Sequence, residues 1–239
     1  MQATQPVGTA MEFDKPIATV DVALFALVEG GLGLLLPRRD KPPHAGARAL
    51  PGGYVRVDED DDTEATARRV ARGKLGMEVS YLEQLYTFSG RRRDPRGWSI
   101  AVAYLGLVPA AHLQGAVLRD ILPVDRLPPL PFDHGAIAAK AVQRLRDKSS
   151  YSSLPGFLLP PEFTLQELRT LYERITGEVL DKANFRRQVV DAQRLVVPTG
   201  HKRTGLAHRP AELFRLTAPG TLLLRSGTGP ARPSPGDEQ

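Results

Sequence analysis

The sequence predicts an α/β chain in two unequal parts, a mixed-sheet α/β/α sandwich followed by a small unit of two helices and a hairpin. Three observations carry this. Strand-like and helical patterns alternate over residues 19–147, the rhythm of a sheet with helices packed on it. A Ser- and Pro-rich stretch at 149–161 (SSYSSLPGFLLPP) then breaks the pattern, as a domain boundary does. After it come two capped helical segments and two short apolar runs, the order of a winged helix-turn-helix.

Each element has its own signal. Residues 19–28 (TVDVALFALV) are apolar and β-branched, Glu29-Gly30-Gly31 turns and 32–36 returns, which is a hairpin pattern. Residues 37–48 place Arg38, Arg39, Lys41 and Arg48 among prolines, as a loop would. Ala49-Leu50 is strand-like. The stretch 51–77 (PGGYVRVDEDDDTEATARRVARGKLGM) reads as a strand end, a Gly-Gly turn, an acidic cluster, one helix over 62–75 and a Gly stop. Gly52 and Gly53 permit a tight turn and close approach of a ligand. Asp60, Asp61 and Asp62 suit the positive end of a helix dipole, and Gly76 suits a left-handed C-terminal cap. Strands are expected at 82–88 and 99–108, joined by a basic loop at 90–98 (GRRRDPRGW). A helix follows at 132–147, with Ile137, Ala141, Val142 and Leu145 on one stripe and Asp133 as N-cap. Lys140 and Lys148 are expected to be solvated.

In the smaller unit, Thr164 and Glu167 have capping-box spacing. They open a helix carrying Leu165, Leu168, Leu171, Tyr172 and Ile175. Gly177 ends it, and Asp181 caps a second helix over 182–192. Residues 195–197 and 213–216 are expected to form a hairpin around PTGHKRTGLAHRPAE. The division that results is a first domain at 15–148, a linker at 149–161, a second domain at 162–225, and flexible ends at 1–14 and 226–239.

Composition narrows the function classes. No apolar run approaches the ~20 residues of a membrane helix, and no basic-then-apolar leader opens the chain. Zero cysteines excludes disulfides and thiolate metal sites. A cytoplasmic, non-membrane protein is expected. The net charge is +5, so its placement matters more than its size. Residues 155–225 hold eleven Lys/Arg against seven Asp/Glu, which puts +4 of the +5 in the smaller unit.

The second helix of that unit gives the charge a purpose. In DKANFRRQVVDA, Phe185, Val189 and Ala192 fall on one side at helical spacing, with Arg187 nearly opposite and Asn184 and Arg186 flanking it. Arginine pairs bidentately with guanine and asparagine with adenine. Thr164, Lys182, His201, Lys202, Arg203 and Arg209 would add backbone or minor-groove contacts from the helix starts and the wing. A winged helix that binds protein is the competing reading, and salt-sensitive, sequence-selective DNA binding separates the two.

The stretch 51–77 resembles the Nudix box, whose pattern is G, five residues, E, seven residues, then R-E-U-x-E-E-x-G-U, with U a bulky aliphatic residue. Arg69 and Gly76 fit the arginine and the closing glycine. Gly53 and Glu59 fit each other, but Arg69 lies two residues too far along. The frame puts Val70, Gly73 and Lys74 where the metal-binding glutamates belong. Hard divalent ions need carboxylate oxygens on one helical face, and a lysine there repels them. A scaffold that binds rather than cleaves is the expectation, with no metal site and no catalytic residue. The enzyme alternative is a hydrolase of ADP-ribose or a related nucleoside diphosphate, using Asp58–Asp62 and Glu64 in a rearranged site.

With the box, the phrases TVDVALFAL, LPGGYV, RDPRGW, DHGAIAAKAVQRLR, FTLQELRTLYERITGEVLDKANFRRQV and RPAELFRL resemble the Nudix-related transcriptional regulators of NAD metabolism (NrtR type) over about residues 15–217. The resemblance implies a Nudix-type sandwich, a dimer built through the Nudix domains, and a repressor of NAD biosynthesis or salvage genes on a palindromic operator of double-stranded DNA. Regulation of sugar-utilisation genes is the alternative regulon. It also implies ADP-ribose or NAD as effector, with no cofactor required. For that pocket, Arg93, Asp94, Arg96 and Trp98 of the basic loop could hold an adenosine diphosphate, guanidinium on phosphate and indole on adenine. Arg39, Gly52, Gly53 and His134 complete the candidates, although glycines also make turns and His134 reads equally well as a structural histidine.

Overall fold

The computed structural model describes residues 15–29, 31–149, 152–192, 194–204 and 210–217. A six-stranded mixed sheet forms the larger part. It consists of β1 (Ile17–Val28), β2 (Gly31–Leu35), β3 (Gly52–Tyr54), β4 (Tyr81–Gly90), β5 (Ser99–Leu107) and β6 (Ile121–Pro123), ordered β4-β5-β1-β2-β6 with β3 on β1. β1 is the centre. It runs parallel to β5 along its length, and its second half pairs with β2 while residues 19–21 pair with β3.

Side chains alternate across a strand, and β1 shows this in its packing. Val20, Val22, Leu24 and Ala26 face a cluster completed by Ala67, Val70 and Ala71 of α1 (Thr63–Leu75). Ala23 and Phe25 face the opposite cluster, with Ile137, Ala141 and Leu145 of α3 (His134–Ser149). The predicted α/β/α sandwich is therefore present. The same alternation puts Asp21 on the α3 side, at the end of the apolar run.

Both box-helix caps form as expected. Asp62 Oδ1 accepts from Ala65 N at 2.7 Å, and Gly76 at φ 71° closes the helix. The Gly-Gly turn does not form. Gly52 and Gly53 lie in β3, and Ala49-Leu50 precedes it without joining a strand. A short helix α2 (Ala116–Arg119) and the strand β6 have no counterpart in the sequence reading. Lys148 is not solvated, since it pairs with Glu83, which also accepts from Tyr81 Oη at 2.5 Å and lies 3.5 Å from Arg144. Lys140 Nζ stands 4.4 Å from the Tyr86 ring centroid.

Within the Ser/Pro-rich stretch, residues 152–158 are buried. Leu154–Leu158 forms a 3-10 turn whose five residues are all buried. The small unit follows with α4 (Leu165–Thr176), α5 (Lys182–Arg186), and the hairpin β7 (Val196–Arg203) and β8 (Ala211–Leu216). Thr164 and Glu167 form the capping box, Gly177 closes α4 at φ 77°, and Asp181 Oδ1 accepts from Asn184 N at 2.8 Å. One side of α4 (Leu168, Tyr172) joins Phe163, Phe185, Val189 and Phe214. Its other side (Leu171, Ile175) joins the sandwich cluster of α3. The two parts thus share a helix between their cores. The expected flexible ends, 1–14 and 226–239, lie outside the described residues.

Candidate functional site

A cleft of about 400 Å³ opens where β1, β3, the 91–98 loop and the start of α3 meet. Its floor is ionic and nearly sealed. The Arg93 guanidinium donates to both carboxylate oxygens of Asp133 at 2.9 Å and to Ser99 Oγ at 3.2 Å, and lies 3.3 Å from Asp21 Oδ2. Asp133 therefore anchors Arg93. Asp21 Oδ1 lies 3.5 Å from His134 Nε2. Burial is the first cause that pushes the Asp21 carboxyl up to about 6, against the Arg93 charge that lowers it. Burial likewise presses His134 down to about 4. The imidazole is neutral at pH 7, and its Nδ1 accepts from Leu50 N at 3.0 Å. The ring proton is thereby assigned to Nε2, facing Asp21.

Gly52 is required by this floor. A Cβ there would stand 2.3 Å from Asp21 Oδ1 and 3.1 Å from Val20 O. The glycine makes room for a carboxylate instead of making a turn.

The rim is more open and more basic. Arg96 chelates Asp94 at 2.6 and 2.9 Å and bonds the Tyr54 hydroxyl, with its guanidinium carbon 5.3 Å from the Tyr54 ring centroid. Hydrogen bonds from Arg96 hold the Asp94 carboxyl below its usual range. Arg39 Nε donates to Pro43 O at 2.9 Å, and its guanidinium carbon lies 4.9 Å from the Phe132 ring centroid. Phe132 itself has φ 56°, an uncommon backbone state for a non-glycine residue. Seven expected effector residues, Arg39, Gly52, Gly53, Arg93, Asp94, Arg96 and His134, therefore line one cleft. Trp98 does not. Its side chain is exposed while its carbonyl accepts from Ile17 N at 3.1 Å. The aromatic faces bordering the cleft are those of Tyr54 and Phe132.

Several carboxylates in and before the box helix are engaged by neighbouring groups. Arg69 donates twice to Asp60, at 2.7 and 2.6 Å, which holds that carboxyl far below its usual range. The in-frame Glu59 pairs with Arg56 instead. Val70 is buried, and a Cβ on Gly53 would meet it at 3.1 Å; Gly73 and Lys74 are exposed. Asp62 is spent on the cap and Glu64 on Arg68. Among the described residues no group of three or more His, Asp or Glu side chains is placed to hold a metal ion. The donor set does not fit the divalent ions of a Nudix hydrolase.

The second constellation lies on the small unit. Lys182, Asn184, Arg186 and Arg187 are all exposed on one segment. Arg187 donates to Asn184 Oδ1 at 2.9 Å, and the Arg186 guanidinium carbon stands 5.9 Å from the Phe214 ring centroid. The expected single helix over 182–192 changes character at Arg187, where it widens into a π-helix through Ala192. The wider turn rotates its end, so Ala192 is exposed although Phe185 and Val189 are buried. His201, Lys202 and Arg203 lie in β7 and not in a loop. His201 Nδ1 is 3.0 Å from Glu162, and Arg203 pairs with Glu167 of the capping box at 2.5 Å. Arg209 lies outside the described residues.

Sequence reasoning missed Asp21, Tyr54 and Phe132 in the cleft, and Asp60 as the partner of Arg69. Asp21 left a readable signal, a lone carboxylate inside a β-branched apolar run.

Residues 155–216 match the family described as NrtR DNA-binding winged helix domain. Over 214 residues the chain is 36% identical to the ADPR responsive transcriptional repressor NtrR of Acinetobacter baylyi, spanning 85% of this chain and 83% of that protein. The chain belongs to the NrtR family. The crystal structure of Shewanella oneidensis NrtR complexed with a 27mer DNA superposes at TM-score 0.77 and 36% identity, covering 83% of this chain and 93% of that one. The NUDIX domain of that NrtR complexed with ADP ribose gives 0.50 at 34% identity, over 56% of this chain and 90% of the other. The sandwich of this NrtR-family chain thus has relatives in both complexes, and the winged helix has one in the DNA complex.

Proposed function

We propose that this protein is a DNA-binding transcriptional repressor that senses ADP-ribose, or NAD, in the cleft of its Nudix-like domain. The observation that carries the reading is the pairing, in one NrtR-family chain, of a cleft with buried and rim arginines and a winged helix exposing Asn184, Arg186 and Arg187. Relatives in complex with DNA and with ADP ribose support each half. The cleft residues take the diphosphate and the sugar. Asn184, Arg186 and Arg187 read base edges, while Thr164, Lys182, His201, Lys202, Arg203 and Arg209 hold the phosphate backbone. The protein acts as a homodimer through its Nudix-like domains on a palindromic operator near NAD biosynthesis or salvage genes. The domains run over 15–148 and 162–225, joined at 149–161, and the protein works in the cytoplasm.

Hydrolysis is not part of this reading. Val70, Gly73 and Lys74 occupy the places of metal-binding glutamates, and Asp60, Asp62 and Glu64 are committed to Arg69, a helix cap and Arg68. Coupling between cleft and DNA is supported by α3, whose first residue forms part of the cleft floor and whose cluster includes Leu171 and Ile175 of α4.

The test is fluorescence anisotropy with DNA from the gene's own upstream region and from NAD-gene promoters, with and without ADP-ribose or NAD. Specific binding that shifts with one nucleotide is expected. Absence of specific binding to either DNA, together with Mg2+-dependent release of AMP from ADP-ribose, would replace the repressor with a hydrolase.

A further inference from the structure

The cleft is electrically layered. On its floor, Arg93 carries one positive charge against the carboxylates of Asp21 and Asp133, and the adjacent His134 is neutral. Around its rim, Arg39, Lys41 and Arg96 outnumber Asp40 and Asp94. The inner end is therefore acidic by one charge and the outer end basic by one. The layering is built in. The Asp21 side chain is 8% exposed and that of Arg93 is 7%, while Gly52 keeps the space beside Asp21 Oδ1 free of side chain. Asp133 already occupies Arg93 through two hydrogen bonds, so the floor has no unneutralised cation to offer a phosphate. Its acceptor facing the cleft is Asp21.

We propose that Asp21 is a specificity-determining residue, an acceptor for sugar hydroxyls on the cleft floor that selects diphosphates capped by a sugar and rejects nucleotides ending in a free phosphate. A hydroxyl group donates to a carboxylate at little cost in charge. A terminal phosphate in the same place brings two anions together in a poorly solvated pocket. The diphosphate stays at the rim, where guanidinium groups form charge-assisted hydrogen bonds. This deepens the nucleotide-sensing reading above and rests on it.

Isothermal titration of the full-length protein with ADP-ribose and with ADP tests it, on wild type, Asp21→Asn and Gly52→Ala. The wild type is expected to prefer ADP-ribose by about tenfold or more, the range of a hydrogen bond to a charged group. Asp21→Asn should narrow that ratio from both sides, with ADP-ribose bound more weakly and ADP more tightly. Gly52→Ala, which drives a methyl into the carboxylate, should weaken ADP-ribose without helping ADP. General damage to the fold would lower both affinities and cannot produce the rise in ADP binding. A wild type that binds ADP as tightly as ADP-ribose overturns the proposal even if neither variant folds, as does an Asp21→Asn protein that keeps the wild-type ratio. A wild type that binds neither nucleotide removes the sensing reading and this one with it.

Discussion

Ile175→Ala tests whether the two parts of the chain are one cooperative body. Ile175 is 2% exposed on α4 and belongs to the cluster that holds Ile137, Leu145, Leu158 and Leu171, so it sits on the sandwich side of a winged-helix element. Truncating such a side chain removes its transfer energy and leaves a cavity, together about 2–5 kcal/mol. On this side α4 packs against α3, the 3-10 turn at Leu154–Leu158 and β2, which leaves little room to collapse. A loss of about 3 kcal/mol follows, and in a chain of this size it lowers the melting temperature by roughly 6–12 °C.

The assay can localise the loss. Trp98 is the chain's only tryptophan and immediately precedes β5 in the sandwich. Its fluorescence follows the sheet, while circular dichroism at 222 nm follows the helices of both parts. With a shared core, the two signals should fall together in wild type and shift down together in the variant. A Trp98 transition that stays at the wild-type temperature, with only part of the helical signal shifting, would refute the shared core. It would also remove the structural basis for coupling cleft to DNA.

Three further outcomes are expected. Arg187→Ala removes an exposed guanidinium that Asn184 holds in place; specific operator affinity should fall by about 1–3 kcal/mol with the melting temperature unchanged, and unaltered affinity in anisotropy would take Arg187 off the reading face. Asp62→Ala deletes the α1 cap and should lower stability by about 1 kcal/mol in urea unfolding. The cleft floor gives a pH signature. Asp21 is raised to about 6, so the stability it contributes is full below its ordinary value near 3.8 and is lost as pH climbs through 6. His134 is lowered to about 4, so its contribution is full above 6.5 and is lost as pH falls through 4. The two slopes oppose each other in the wild type. Asp21→Asn leaves only the histidine slope, so its stability should rise from pH 4.5 to 6.5 relative to wild type, by roughly 2 kcal/mol at 1.36 per pKa unit. Parallel melting curves for the two proteins across that range would contradict the assignment.

What the sequence makes legible is what local chemistry decides. Asp62, Thr164 and Asp181 cap helices because a short acceptor reaches the free N–H groups of its own next turn, and Gly76 and Gly177 end them because left-handed backbone excludes most side chains. β1 and β5 are readable because both faces of the sheet are covered there, which demands nearly continuous apolar runs. Where distant residues decide, the reading slips. Gly52 has the look of a turn glycine until Asp21, on another strand, is found where its Cβ would stand. Ala192 fits a 100° stripe until the π-turn rotates it outward. The Ser/Pro-rich connection has a linker's composition, yet Leu154, Phe157 and Leu158 are claimed by the α3–α4 seam.

The cleft divides along the same line. Its cations are visible as a basic loop, because arginines at 91–93 and 96 are conspicuous in sequence. Its selectivity is invisible there, because the sign of the floor depends on how Asp21, Arg93, Asp133 and His134 meet from β1, a hairpin loop and the start of α3. Arg93 read alone is a phosphate ligand. Held by Asp133 and set against Asp21, it becomes part of a floor with a net negative charge, and that inversion is what makes the ADP-ribose to ADP ratio informative about the site.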